Sequence, residues 1–264
     1  MQASDHVHIE RLGAGPDLVL LHGWGLNGGI WQGVKQQLAE SFKLHIVDLP
    51  GYGNSAPLLD GDKADTPIDT HQLAAHLAQH LPSDAIWLGW SFGGCVATAA
   101  AHNPQIAVRK IITVASNPKF TLDEDWPTAM KPEVLSSFAK QLNKNYLSTI
   151  KRFLAIQSLG AADQKKQIQM LLGWLMDRPE PDTATLHRDL GLLHSTDLRQ
   201  ELAQLTIPHL SILGKNDALV PKTLAQALPK LRPNITCELF STASHAPFVS
   251  DPKRFIECVR HFAL

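Results

Sequence analysis

A serine between two glycines is the first residue of this chain whose surroundings indicate chemistry. Ser91 lies in Gly-Trp-Ser-Phe-Gly at positions 89–93, after the apolar run 85–88 and before the small-residue run 94–101. A strand that turns sharply into a helix around G-x-S-x-G exposes the serine hydroxyl, and glycines relieve the crowding that a Cβ would cause. The pattern predicts that Ser91 is a catalytic nucleophile.

A serine hydroxyl attacks at neutral pH only if a base accepts its proton. We expect His245 to be that base, because it lies in a loop directly after the last predicted strand. Asp217 follows the preceding predicted strand and is the expected acid, which would hold the imidazole in its productive tautomer. The order Ser, Asp, His fits a fold in which all three residues follow parallel strands. Asp197 is the alternative acid.

The attack creates an oxyanion that needs hydrogen-bond donors already in place. Phe92, directly after the nucleophile, can offer its backbone N–H at the start of the helix. A second backbone N–H is expected from the His-Gly-Trp-Gly loop at 22–25, and we assign it to Trp24. No metal or organic cofactor is required for this chemistry.

Short apolar runs alternate with helical patterns on either side of Ser91. The predicted strands are 17–21, 44–49, 85–88, 110–114, 209–213 and 236–240, and predicted helices include 33–40, 71–80, 133–159, 163–176, 183–193 and 253–262. This alternation is typical of an α/β fold with a mainly parallel sheet covered by helices on both faces. Because no strand pattern interrupts the middle, we expect a core at 1–116 and 195–264 and an inserted helical cap at 117–194.

Composition restricts the class of protein. A formal net charge of −1 over 264 residues gives no global attraction to nucleic acid or to an anionic membrane. The three cysteines form no C-x-x-C pair, so neither a disulfide framework nor a zinc site is expected, and Cys95 fits a small buried residue. No apolar run reaches the ~20 residues of a membrane span. We expect a cytoplasmic monomer.

These motifs resemble the α/β-hydrolase superfamily over nearly the whole chain. Segments outside the catalytic motifs are similar to one family in particular, the pimeloyl-acyl-carrier-protein methyl ester esterases of bacterial biotin synthesis. The superfamily resemblance rests on segments 20–25, 47–55, 89–93, 216–217 and 244–245. The closer resemblance rests on segments 22–27, 86–91, 113–116, 152–157, 196–199 and 245–248. The resemblance implies hydrolysis of the methyl ester on a pimeloyl chain borne by acyl carrier protein.

The same resemblance implies which residues meet the substrate. The acyl chain is expected near Trp24, Ser91, Phe92 and His245, and near the cap residues Phe153, Leu154, Ala155, Ile156 and Gln157. Read without the family, the apolar cap residues could equally form the interior of the cap.

Basic residues are frequent in the predicted cap: Lys131, Lys140, Lys144, Lys151, Arg152, Lys165 and Lys166. They form either a solvated helical face or a surface that attracts an acidic partner. In the family, basic cap residues meet the acidic carrier protein, and Arg152 matches one of them by position. Lys151, Lys165 and Lys166 are further expected docking residues, whereas Ser148 stands where the family has another arginine.

Two other functions remain open at this point. A general short-chain carboxylesterase or a carbon–carbon bond hydrolase could use the same scaffold, since function depends on the site and the cap. A non-catalytic binding module that keeps the fold is the second alternative, and the complete set of Ser, Asp and His speaks against it.

Overall fold

The computed structural model describes residues 6–58, 68–142 and 145–264. Among them are seven strands: β1 Ile9–Leu12, β2 Asp17–Leu21, β3 Lys43–Val47, β4 Ala85–Trp90, β5 Val108–Val114, β6 His209–Gly214 and β7 Ile235–Phe240. They form one sheet in the order β1-β3-β2-β4-β5-β6-β7. Every pairing is parallel except that of β1 with β3. The predicted α/β class with a mainly parallel sheet is confirmed.

The central strands are apolar because both of their faces are covered. All six residues of β4 and all six of β6 are buried, as expected when helices pack on both sides of a parallel sheet. The carboxyl ends of β4 and β6 lead into the segments that carry Ser91 and Asp217. The segment that carries His245 follows β7. The parallel direction therefore brings three distant chain segments to one edge of the sheet.

The described residues contain a 3₁₀ helix at Gly28–Gly33 and eleven α-helices. These are α1 Lys35–Ala39, α2 Thr70–Ala78, α3 Phe92–His102, α4 Pro132–Leu142, α5 Tyr146–Gln157, α6 Gln164–Met176, α7 Thr183–Ser195, α8 Arg199–Gln204, α9 Leu224–Leu231, α10 Pro247–Ser250 and α11 Pro252–Ala263. The predicted helix 133–159 is wrong as one element, because α4 ends at Leu142 and Asn145 caps the start of a new helix, α5.

Helices α4 to α7 follow one another between β5 and β6, with no strand among their described residues. The segment that contains them starts and ends at neighbouring points. The Leu198 amide donates to the Pro118 carbonyl at 2.8 Å, and Lys119 pairs with Asp197 in an antiparallel bridge. Residues 117–131 carry no helix, so the helical part begins at Pro132. The division of the chain at 117 and 194 stays a prediction.

Candidate active site

The turn between β4 and α3 holds Ser91 in a strained conformation. Its φ of 54° and ψ of −118° lie outside the regions that L-residues commonly adopt. A Cβ at Gly89 would lie 2.1 Å from the Gly93 carbonyl oxygen, and one at Gly93 would lie 2.6 Å from the His22 carbonyl oxygen. Only glycine fits at both positions, so the two glycines make this sharp turn possible.

Ser91, His245 and Asp217 form a continuous hydrogen-bonded row. Ser91 Oγ lies 3.0 Å from His245 Nε2, and His245 Nδ1 lies 2.7 Å from Asp217 Oδ2. With the aspartate ionised, Nδ1 donates to the carboxylate and Nε2 is left to accept the serine proton. All three side chains are nearly inaccessible, with Ser91 only 3% exposed. The structure therefore joins the three residues that the sequence predicts for the catalytic site.

The backbone around His245 is fixed by two further hydrogen bonds. The Trp90 indole Nε1 donates to the His245 carbonyl at 2.7 Å, and the His245 amide donates to the Gln157 carbonyl at 3.0 Å. The first bond comes from β4, directly before the serine. The second comes from the last residue of α5. The histidine loop is thus held by both the sheet and the helical segment.

Asp197, the alternative acid, is engaged elsewhere. Its carboxylate accepts two bonds from Arg199 Nε and one at 2.7 Å from Arg199 Nη2, and Lys119 Nζ lies 3.5 Å away. The hydrogen bonds from Arg199 lower the pKa of Asp197. Since His245 is bonded to Asp217, the structure favours Asp217 as the acid.

The loop at 22–25 lies against the serine. A Cβ at Gly23 would come within 3.2 Å of Ser91 Cβ, and the Leu26 amide closes a turn onto the Gly23 carbonyl at 3.4 Å. We call residues 23–26 the oxyanion turn. Within the described part of the chain, the backbone amides of Trp24 and Phe92 donate no hydrogen bond. Both amides therefore remain available to an oxygen atom bound near Ser91.

His22 anchors the start of this turn. Its Nδ1 donates to the Gly23 carbonyl at 2.8 Å, and its Nε2 accepts the Leu49 amide at 2.9 Å. Burial lowers the pKa of His22 to about 4. The imidazole is thus neutral at physiological pH, as its one donated and one accepted bond require.

The predicted acyl-chain residues of α5 lie beside the oxyanion turn. The Phe153 ring meets the Trp24 ring edge-on at 5.1 Å between centroids, and Phe138 meets Phe153 in the same way at 5.1 Å. Phe153, Leu154 and Gln157 are buried, whereas Ala155 and Ile156 are half-buried. Neither polar atom of the Gln157 side chain has a hydrogen-bond partner among the residues that the structure describes.

The predicted docking residues Lys151, Arg152, Lys165 and Lys166 are exposed. Arg152 Nη1 donates to Gln141 Oε1 at 2.8 Å. None of the four cations forms an ion pair with a carboxylate in the ranges 6–58, 68–142 and 145–264. Lys131 and Lys140 are exposed as well, and Lys144 lies outside the described residues.

Two groups that sequence reasoning missed connect the helical segment to the rest of the molecule. Arg178, just after α6, donates to the buried Asp48 carboxylate, and at 3.0 Å to Glu10 of β1. Tyr146, at the start of α5, donates its hydroxyl to the Gly25 carbonyl at 3.1 Å. These partners are separated by more than a hundred residues, and no local pattern indicates such pairs.

Three further observations bear on other functions. Cys95 is buried on α3, four residues after Ser91, and burial raises the pKa of its thiol to about 12, which makes it a poor nucleophile. Among the described residues no group of three or more His, Cys, Asp and Glu side chains could hold a metal ion. The helices of the described ranges include none with the length and hydrophobicity of a membrane span.

Comparison with known proteins agrees with this fold. The model of the Alpha/beta hydrolase family matches residues 18–257, and the chain belongs to this family. An esterase structure from Exiguobacterium antarcticum superposes with a TM-score of 0.84 at 23% identity, over 97% of this chain and 94% of that one. The family and its curated esterase relatives make the chain a carboxylic ester hydrolase.

The similar curated proteins are more specific. The pimeloyl-[acyl-carrier protein] methyl ester esterase of Aeromonas salmonicida is 46% identical over 256 residues, which cover 97% of this chain and 98% of that protein. The enzyme of the same name from Vibrio vulnificus is 41% identical over 260 residues, or 98% of this chain and 99% of the relative. The similarity thus spans the strands of the sheet and helices α4 to α7 alike.

Proposed function

We propose that this chain hydrolyses the methyl ester of pimeloyl-[acyl-carrier protein], releasing methanol and the free pimeloyl-carrier protein in biotin biosynthesis. The observation that carries the proposal is identity above 40% over nearly full length to several esterases with this activity in their name. The hydrogen-bonded row of Ser91, His245 and Asp217 supplies the chemistry that such a reaction needs.

In the first half of the reaction, Ser91 Oγ attacks the ester carbonyl carbon while His245 Nε2 takes the hydroxyl proton. The carbonyl oxygen becomes an oxyanion that accepts hydrogen bonds from the backbone N–H groups of Trp24 and Phe92. The tetrahedral intermediate then collapses and the bond to the methoxy oxygen breaks. His245 gives its proton to that oxygen, and methanol leaves.

In the second half, water attacks the acyl-enzyme and His245 accepts one of its protons. Collapse of the second tetrahedral intermediate breaks the bond to Ser91 Oγ, which recovers its proton from the imidazolium. The product is the pimeloyl carboxylate, still attached to its carrier. Asp217 stays ionised throughout and stabilises the imidazolium through Nδ1.

Complementation of a biotin-requiring strain that lacks this esterase tests the proposal. The intact chain is expected to restore growth without biotin, and Ser91→Ala is expected not to, although it retains the fold. The purified protein should hydrolyse the carrier-bound methyl ester far faster than simple aryl esters. Near-normal turnover by Ser91→Ala, or a preference for aryl esters, would refute the proposal.

We further propose that residues 117–194 form a cap over the core and that its basic face docks the carrier protein. Lys151 and Arg152 on α5, and Lys165 and Lys166 on α6, are exposed and have no described carboxylate partner. Unpaired cations of this kind attract an acidic partner and speed its association, and added salt weakens the attraction.

The double change Lys151→Glu and Arg152→Glu should test this docking surface. We expect KM for the carrier-bound ester to rise at least tenfold, while turnover of the small ester dimethyl pimelate stays within twofold. Lys253→Glu is the matched control, because Lys253 is exposed on α11 outside the inserted helices. If Lys253→Glu raised KM as much as the double change does, the proposed surface would be contradicted.

We also propose that the protein is a cytoplasmic monomer. Its three cysteines are free, which is the state that a reducing compartment such as the cytoplasm maintains. Light scattering of the purified chain at working concentration tests this. A monomer is expected to give a mass near 29.0 kDa.

A further inference from the structure

Helix α5 contacts the catalytic site at two places, the oxyanion turn and the loop that carries His245. Near its start, Tyr146 donates to the Gly25 carbonyl of the oxyanion turn, and Ile150 packs against the same glycine. At its end, the Gln157 carbonyl accepts the His245 amide. The 12 residues of α5 span about 18 Å as a rigid rod. Helix α5 therefore fixes the position of the oxyanion turn relative to the base.

The oxyanion turn depends on such outside contacts. Gly25 has a φ of +76°, and a Cβ there would lie only 2.5 Å from Ile150 Cδ1, so the position requires glycine. Glycine leaves the backbone conformationally free unless neighbours restrain it. The bond that closes the turn is long, at 3.4 Å between the Leu26 nitrogen and the Gly23 oxygen.

The restraints on this turn come from two sides. The core holds its first residue, through His22 Nδ1 and the Gly23 carbonyl. Helices α7 and α5 hold the next two residues. The Trp24 indole Nε1 donates to the Leu186 carbonyl of α7 at 2.9 Å, and the Tyr146 hydroxyl of α5 donates to the Gly25 carbonyl. Burial raises the pKa of Tyr146, so its hydroxyl stays protonated and remains a donor.

We propose that Tyr146 is a positioning residue for the oxyanion donor. Its hydrogen bond to the Gly25 carbonyl restrains the turn so that the Trp24 amide stays directed at the oxyanion. This role rests on the proposed function, because it requires that the Trp24 amide contacts the oxyanion. Tyr146 itself does not meet the reacting atoms.

The size of the effect follows from the donor that Tyr146 restrains. Loss of one oxyanion donor costs about 10²- to 10³-fold in kcat. Removing the tyrosine hydroxyl loosens the donor without deleting it, so we expect Tyr146→Phe to lower kcat about tenfold. Substrate binding before the attack does not use the oxyanion donor, so KM should stay within twofold.

The experiment compares Tyr146→Phe with Ser148→Ala in the full-length protein. Ser148 lies in the same helical turn but is exposed, and among the described residues its hydroxyl bonds only to the carbonyl of Asn145, which caps the helix. The readouts are kcat and KM on the carrier-bound ester, and the inhibition constant of an alkyl boronic acid. The boronate forms a tetrahedral adduct on serine, so its affinity reports on the oxyanion donors.

We expect Tyr146→Phe to weaken the boronate by about the same factor as it lowers kcat, and Ser148→Ala to change neither. Unchanged kcat, a rise in KM alone, or a fall in kcat without weaker boronate binding would each overturn the proposal. Complete labelling of Ser91 by a fluorophosphonate in both variants shows that the protein is folded and the nucleophile intact. Failure of the proposed function would instead appear as turnover by Ser91→Ala.

Discussion

Asp217 uses its two carboxylate oxygens for different tasks. Oδ2 accepts from His245 Nδ1, while Oδ1 accepts the backbone amides of Leu219 and Val220 at 2.8 and 2.9 Å. These amides fix which oxygen faces the imidazole. The carboxylate therefore orients the base and is itself oriented by its own loop.

Replacing Asp217 with asparagine should give the wrong imidazole tautomer. The two loop amides need an oxygen at Oδ1, so the asparagine NH₂ group would face His245 Nδ1 and donate to it. The ring proton would then reside on Nε2, which could no longer accept from Ser91. We expect kcat to fall about 10³- to 10⁴-fold with the fold retained, as measured by steady-state kinetics and circular dichroism.

Asp197→Asn is the matched control for that substitution. Asp197 is hydrogen-bonded to Arg199 rather than to His245. The kcat of the Asp197→Asn variant is therefore expected to stay within a few-fold of that of the parent protein. A comparable loss in both variants would show that the effect of Asp217 is not specific to the base.

At this scale the sequence predicts the residues that stand at strand ends. Ser91, Asp217 and His245 are found because each follows a recognisable apolar run, and parallel strands bring such ends together. Tyr146 and the backbone carbonyl of Gln157 are not found. Their contacts depend on how α5 lies across the core, which no local pattern encodes.

Among the elements, α6 is followed directly by a residue that forms ion pairs with two carboxylates from the first half of the chain. Arg178 is 12% exposed and bonds Asp48, which is fully buried, as well as Glu10 of β1. Asp48 also accepts the Gly28 amide at 2.7 Å and the Asn54 amide at 2.9 Å. A buried carboxylate of this kind is stable only while its partners remain.

Arg178→Met is expected to lower the free energy of unfolding by about 3 kcal/mol, because it leaves the Asp48 charge buried without its ionic partner. Urea denaturation followed by tryptophan fluorescence measures this change. Adding Asp48→Asn should recover part of the loss. Arg109→Met is the control, since Arg109 pairs with Asp84 at an exposed site and should leave the midpoint close to that of the parent.

Some elements are hard to predict from the sequence, for physical reasons. The sequence does not predict strand β1, because its four residues, Ile9–Leu12, form an edge strand that is only partly buried and carries two charges. The predicted helix 33–40 is mostly α1, preceded by a 3₁₀ turn that ends at Gly33. Helices α8 and α9 are not predicted either, and the first of them is only six residues long.

The stability of the whole molecule should depend on pH through buried histidines. His209 is buried beside Thr113, with its Nε2 at 2.8 Å from the threonine oxygen, and burial lowers the pKa of His209 to about 3. Below its ordinary value of 6.5 the unfolded chain takes up a proton that the folded chain excludes. Stability is therefore complete above pH 6.5 and decreases as the pH falls toward 3.

Between pH 7 and pH 5, His209 alone should remove about 2 kcal/mol from the free energy of unfolding. His22 acts in the same direction, because its pKa is lowered to about 4. Urea titrations at both pH values measure the loss, which should be smaller in His209→Gln. His261→Gln, a change at an exposed site, should lose as much free energy of unfolding between the two pH values as the parent protein does. If His209→Gln also lost as much as the parent, His209 would not be a cause of the pH dependence.

The neighbouring ends of the segment that bears α4 to α7 have an evolutionary consequence. Because Pro118 and Leu198 are hydrogen-bonded to each other, this segment starts and ends at one place on the rest of the molecule. A different set of helices could be spliced in as a cassette without breaking the strands that carry the serine, aspartate and histidine. Such a graft must, however, bring its own counterparts of Arg178 and Tyr146, since the host supplies only their acceptors.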